Sequence, residues 1–184
     1  MEQCVSSTTS SPLGPLWVCA TVAGDRVDTG DRADTGVCGL GFGEQPSDAE
    51  VRRMARYGIA SPEPGRSPAL EAAIAQLADY FDRRLRVFDV PLDLRGTPFQ
   101  RAVWAELLTI PYGATLTYGE IAMEVERPRA FQAVGQGTGA NPVAIIVPCH
   151  RVVGQNGALT GYAAGVERKA ALLQLEQAGL QLRL

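Results

Sequence analysis

No stretch of this 184-residue chain approaches eighteen uninterrupted apolar residues, so nothing in it is expected to span a bilayer. The first fourteen residues, Met1 to Gly14, are rich in Ser and Thr. They lack the basic start and apolar stretch of a secretory leader, and the expectation is a cytoplasmic protein. Histidine is all but missing, with His150 alone, and cysteine is limited to Cys4, Cys19, Cys38 and Cys149. Without an export signal these thiols should be reduced, each serving as core, ligand or nucleophile. No two cysteines are close in sequence, and no histidine is available to complete a closed four-ligand site. The expectation is therefore no metal and no cofactor. Excess positive charge is missing too: the net charge is −3, which disfavours an indiscriminate nucleic-acid binder. The halves differ, however, with −5 on residues 1–94 and +2 on residues 95–184, so an anionic partner should meet the second half. The apolar fraction of 46% and charged fraction of 20% are ordinary for a globular chain and exclude a mainly disordered one. The length admits one compact domain or two small lobes.

In the first half, Leu16–Ala23 and Val37–Phe42 read as the strands of a hairpin. Between them, Asp25–Gly30 and Asp31–Gly36 form a tandem hexapeptide, DRVDTG and DRADTG, too short for a solenoid and read as a solvated loop. Ser47–Tyr57 suggests a short helix, Ala60–Pro68 has a linker's composition, and Ala69–Leu85 carries the three- and four-residue apolar spacing of an amphipathic helix. Val87–Leu92 reads as a strand. In the second half, Thr97-Pro98-Phe99-Gln100 and Thr117-Tyr118-Gly119-Glu120 are capping boxes, opening helices to about Thr109 and Val125. A further helix is expected from Arg129 to about Gly137. Two short helices across a tight turn could form a helix-turn-helix or be ordinary packing. The expected boundaries are a flexible N-terminus over 1–12, an α/β lobe over 13–90 and a second domain over 91–184.

Val143–Val147 (VAIIV) reads as a fully buried strand. Directly after it, Pro148-Cys149-His150-Arg151-Val152 sets a thiol beside the chain's only imidazole. A bare Cys-His pair can equally be an inert buried cysteine beside a surface histidine. Two features favour a reactive thiol: Pro148 breaks the strand, and Thr160–Gly165 is a small-residue loop able to wall a narrow pocket. The following helix, Val166 to about Gln177, carries Arg168, Lys169 and Glu176, so a carboxylate is available to orient His150.

Gly96–Thr109, Pro111-Tyr112-Gly113, the Tyr118 helix, Asn141-Pro142-Val143, PCHRV at 148–152, Gly161-Tyr162 and Leu172-Leu173 with Glu176 together resemble the O6-alkylguanine-DNA alkyltransferase (methylated-DNA–protein-cysteine methyltransferase) family. The resemblance covers about residues 88–178. It implies an α/β (α+β) fold, with an N-terminal ribonuclease-H-like sheet lobe and a mostly helical C-terminal lobe bearing a helix-turn-helix of winged-helix type. It implies single-turnover repair of double-stranded DNA containing O6-alkylguanine by a monomer. Cys149 would accept the alkyl group, activated by His150 through a bridging water, with Glu176 orienting the histidine. Tyr118 would help swing the base out and donate its hydroxyl to it, and Asn141 would be the hinge between recognition helix and active-site strand. Tyr162 with Gly161, Ala163 and Gly165 would close the pocket, and the main chain of Val152 and Cys149 would accept from the guanine amino group. Arg129, Gln132, Ala133, Gly135, Gln136 and Arg151, with Tyr118, would contact DNA.

The residue types suit such chemistry in their own right. A thiol with a pKa near ~8.5 is only a few per cent ionised at neutral pH, so a base is needed. A phenol aimed at a departing guanine stabilises charge that develops only in the transition state. One position departs from the family pattern: where that pattern has an Arg filling the gap left by the flipped base, this chain has Gln132. Arg129, one helical turn earlier, is a partial substitute. The competing readings are a protein that binds alkylated DNA without repairing it, and a Cys-His hydrolase with His150 as base.

Overall fold

The computed structural model describes residues 1–22 and 36–181, which form two compact units, Met1–Arg95 and Gly96–Leu184. The tandem hexapeptide, apart from its last glycine, lies outside the described residues. Among the described residues no helix is long and apolar enough to cross a membrane.

The first unit is built on a four-stranded sheet in the order β3-β2-β1-β4. Strands β1 (Cys4–Thr9), β2 (Leu16–Thr21) and β3 (Val37–Phe42) are antiparallel neighbours, and β4 (Glu63–Pro64) runs parallel to β1. The expected hairpin is therefore present. The expected flexible N-terminus is not: its Thr and Val residues favour extended backbone, and β1 pairs on both sides, with β2 and β4. Every residue of β2 is buried. The Trp17 indole lies across β3, where a Cβ added at Gly39 or Gly41 would come within 2.7 Å of its ring. Only glycine leaves that space.

Helix α1 (Asp48–Arg56) opens on the Ser47–Glu50 capping box. Helix α2 (Pro68–Phe81), with Ser67 as N-cap and Pro68 in its first turn, buries Leu70, Ala73, Leu77 and Tyr80 and packs on the sheet. Ala60–Pro68, despite its linker composition, supplies β4 and the cap of α2 and so stays inside the unit. Val87–Leu92 is not a strand. Gln76 of α2 binds both backbone groups of Asp89, at 3.0 and 2.8 Å, Pro91 has no N–H to donate, and the segment meets β3 in a single bridge, Leu92 to Val37, where Val37 N donates to the Pro91 carbonyl at 2.8 Å and Asp93 N to the Val37 carbonyl at 3.0 Å. Arg95 closes the unit on Asp93, on Glu2 and on the Tyr57 carbonyl.

Cys4, Cys19 and Cys38, scattered in sequence, meet in this sheet as part of one buried cluster with Trp17, Met54 and Ile59. The Cys4 and Cys38 sulfurs are 3.5 Å apart and all four cysteines are free thiols. Among the described residues no group of three or more His, Cys, Asp or Glu side chains is arranged to hold a metal ion.

The second unit is mainly helical. Helix α3 (Pro98–Thr109) starts at the Thr97–Gln100 capping box and buries Val103, Trp104 and Leu107. The Trp104 indole donates to the Gly137 carbonyl at 2.9 Å, binding α3 to α5 (Phe131–Gly139). Helix α4 (Tyr118–Glu124) starts at the Thr117–Glu120 capping box and packs against α5. The segment between them turns through Glu126, at φ 56°, and Pro128. Helix α5 begins two residues later than its pattern suggests, with no side-chain cap. Arg129 therefore sits in the turn before the helix and not one turn along its face. Strands β5 (Leu116–Thr117) and β6 (Val152–Val153) pair in parallel, and α6 (Val166–Gln181) completes the unit. The architecture is α+β.

Candidate active site

The apolar run Val143–Val147 is buried, apart from a half-buried Ala144, but is not a strand. Asn141 folds it into a tight loop: its amide oxygen accepts from Val143 N at 3.0 Å, and its amide nitrogen donates to the Val147 carbonyl at 2.8 Å. Inside the loop Val147 N donates to the Val143 carbonyl at 3.0 Å, and Ile145 is held at φ 70°, a costly conformation for a β-branched residue. Continuous hydrophobicity records burial without recording backbone direction, and a side-chain amide decides the direction here. The second proton of the Asn141 amide points at Cys149 Sγ, 3.1 Å away.

Cys149, His150 and Arg151 form one turn of 3₁₀ helix after Pro148. His150 is buried, with Nε2 2.8 Å from Glu176 Oε1 and Nδ1 without a hydrogen-bond partner among the described residues. Burial lowers the His150 pKa, against the opposing pull of Glu176, so the ring is neutral at pH 7. With its proton on Nε2 toward the carboxylate, Nδ1 carries the free lone pair. Burial disfavours ionised Glu176, but His150 and Arg151 outweigh it and hold the carboxyl at about 2.

Arg151 is also buried. Its guanidinium gives Nε and Nη2 to Glu176 at 3.0 Å each and Nη1 to the Ile110 carbonyl at 2.6 Å, and lies 5.8 Å from the Tyr112 ring centre. Glu176 Oε2 takes in addition the Gly113 N–H at 2.9 Å. The expectation that Arg151 contacts DNA is therefore corrected. The side chain is buried and each of its three nitrogens donates inside the unit, because a buried carboxylate requires a buried cation.

A loop over Thr160–Gly165 is held by Tyr118 and Lys169. Gly161 and Gly165 have φ of 49° and 95°, conformations open to glycine. Tyr118 Oη is 3.3 Å from the Thr160 carbonyl and 3.4 Å from that of Gly161. Thr160 O accepts a second bond, at 2.8 Å, from Lys169 Nζ. Lys169 is the chain's only lysine and is 0% exposed, 5.9 Å from the Tyr118 ring centre. Burial raises the Cys149 pKa, and the Asn141 hydrogen bond and the Lys169 charge act against that rise without cancelling it. The resting group is a thiol, and a base is needed. Tyr162 places a buried hydroxyl, with no hydrogen-bond partner among the described residues, near the same sulfur, its pKa pushed well up by burial and then by Cys149.

Residues 98–178 match the family model described as 6-O-methylguanine DNA methyltransferase, DNA binding domain. The methylated-DNA–protein-cysteine methyltransferase of Mycobacterium tuberculosis is 57% identical over 117 residues, 64% of this chain and 69% of that protein. The protein of the same name from Methanosarcina mazei is 54% identical over 106 residues, 58% of this chain and 67% of the relative. This chain belongs to the methylated-DNA–protein-cysteine methyltransferase family. The likeness extends to the whole fold. The crystal structure of Mycobacterium tuberculosis O6-methylguanine methyltransferase superposes with a TM-score of 0.75 at 43% identity, covering 98% of this chain and 99% of that one. That of the Mycobacterium tuberculosis OGT in complex with DNA gives 0.73 at 45% identity, covering 96% and 94%.

Of the residues expected to serve a methyltransferase site, the structure brings together Cys149, Asn141, His150 and Glu176, and gathers Tyr118 and Gly161 at one loop. Val152 is buried in β6, and Gly161 and Ala163 are exposed at the loop surface. Arg129, Gln132 and Gln136 are exposed, while Ala133 and Gly135 are half-buried. A Cβ at Gly135 would stand 3.9 Å from the Tyr118 ring, so that glycine sets α5 against the Tyr118 side chain. Sequence reasoning noted Lys169 only as a basic residue of the last helix. Its signal was spacing: Lys169, Leu172 and Glu176 are three and then four residues apart, on one face of α6, and all are buried.

Proposed function

We propose that this chain repairs DNA by transferring the alkyl group of O6-alkylguanine to Cys149 Sγ, once per molecule. The observation that carries the proposal is the neutral His150 beside the thiol, with Nε2 committed to Glu176 and Nδ1 unpartnered. His150 accepts the thiol proton through a bridging water, and Glu176 stabilises the imidazolium that results. The thiolate attacks the alkyl carbon, a sulfur–carbon bond forms, and the carbon–O6 bond breaks with its electron pair on the guanine. Tyr118 and then solvent supply the proton that leaves guanine neutral. A thioether has no low-energy way back, so the protein is spent.

The base must leave the duplex to reach a buried sulfur, at a cost of a few kcal/mol. Tyr162 and the 161–165 loop would wall the pocket, and the Val152 and Cys149 carbonyls would accept from the guanine amino group. The small Ala163 suits alkyl groups larger than methyl. The protein acts as a monomer, and four reduced thiols suit the cytoplasm.

The test is intact mass after incubation with an O6-methylguanine duplex. The expected outcome is one methyl group per protein, mapped to Cys149 and lost in Cys149→Ala. Many turnovers per molecule would establish a hydrolase or demethylase instead, and tight binding with no adduct would establish a lesion-binding protein.

A further inference from the structure

The first residue of α5 is an aromatic side chain left in solvent: Phe131 is 55% exposed, while Val134, Gly137 and Thr138 of the same helix are buried. We propose that Phe131 is the stacking wedge of this protein, entering the base stack of duplex DNA and holding open the gap left by the extruded guanine. The inference rests on the proposed function.

Three observations carry it. Phe131 and Gly135 are four residues apart, one helical turn on the same face of α5, and Gly135 lies against the Tyr118 ring. Tyr118 in turn touches the Thr160–Gly161 loop, where Lys169 is bound and close enough to Cys149 to act on it electrostatically. Phe131 is thus one turn from the phenol that serves the pocket, on an element of the matched DNA-binding domain. Its neighbours are suited to the purpose as well. Gln132 is exposed beside it and offers both a donor and an acceptor to the pyrimidine orphaned by extrusion. Arg127 and Arg129, exposed in the preceding turn, meet phosphates. Finally, the side chain has the right chemistry. Apolar wedges such as Phe kink and unstack a duplex from the minor groove, and every base offers a π-face to an aromatic ring. Gln132 alone stacks poorly, and Arg129 precedes the helix.

The test compares single-turnover rates for an O6-methylguanine duplex at saturating DNA with those for free O6-benzylguanine, which needs no extrusion. In Phe131→Ala the ratio of duplex to free-base rate should fall about 5- to 100-fold, and Phe131→Trp should restore it. A 2-aminopurine next to the lesion should brighten on binding the parent protein and brighten less with Phe131→Ala. An unchanged ratio in Phe131→Ala, whether both rates hold or both fall together, overturns the proposal. Failure of the parent protein to react with either substrate would overturn the proposed function instead, so the two failures are distinguishable.

Discussion

Cys149 is subject to opposing influences on a single proton. Burial favours the thiol, whereas the Asn141 amide and the Lys169 ammonium favour the thiolate. Lys169→Met keeps the length and removes the charge. The pH profile of single-turnover transfer should move to higher pH and the rate at pH 7 should fall about 3- to 30-fold. The melting temperature should hold or rise, since replacing a buried charge by an apolar residue is often neutral or stabilising. A profile that stays in place would reduce Lys169 to a strut for the Thr160 carbonyl. Tyr118→Phe tests the phenol separately. If the hydroxyl acts mainly in the transition state, transfer should slow about 10- to 1000-fold with a smaller loss of DNA affinity. An unchanged rate would leave Tyr118 as a packing residue.

In the proposed mechanism Glu176 lets α6 serve both chemistry and stability, because one carboxylate binds His150, Arg151 and the turn at Gly113. Its pKa of about 2 lies below the ordinary carboxylate value, so its contribution to stability is full above that value. It is lost as pH falls toward 2. His150, also depressed, adds a loss that begins below its ordinary pKa, where the unfolded chain takes up a proton that the folded chain refuses. Glu176→Gln strands the buried Arg151 and should cost about 3–5 kcal/mol, read as a lower urea midpoint at pH 7 with a flatter acid limb. Elements with local grammar were legible in the sequence: the capping boxes at Thr97 and Thr117 need only a neighbour three residues away, and the β2–β3 pair shows in two short apolar runs either side of a polar insert. Val143–Val147 and Val87–Leu92 have the composition of strands but are not strands, because the side-chain amides of Asn141 and Gln76 take backbone groups that a sheet would have used. The Cys-His site was legible from adjacency and from the resemblance. The inward turn of Arg151 was not, because its reason lies 25 residues away at Glu176.

Across the whole molecule the four thiols fall into two populations. Cys4, Cys19 and Cys38 are buried in the sheet of the first unit, while Cys149 stands in the second, at the proposed site of alkyl transfer. Thiol titration of the unfolded protein should find four groups before exposure to methylated DNA and three after it. In the folded protein the sheet thiols should react only as fast as the structure opens. A fall to two or fewer would show that alkyl transfer is not confined to Cys149. Charge is likewise divided, −5 over residues 1–94 and +2 over residues 95–184, which turns the helical unit toward a polyanion and makes its binding salt-dependent. The burial of Lys169 has a further practical consequence. The folded surface carries no lysine, so an amine-acylating reagent finds no side-chain amine there, and an adduct on Lys169 becomes a clock for the opening of the site.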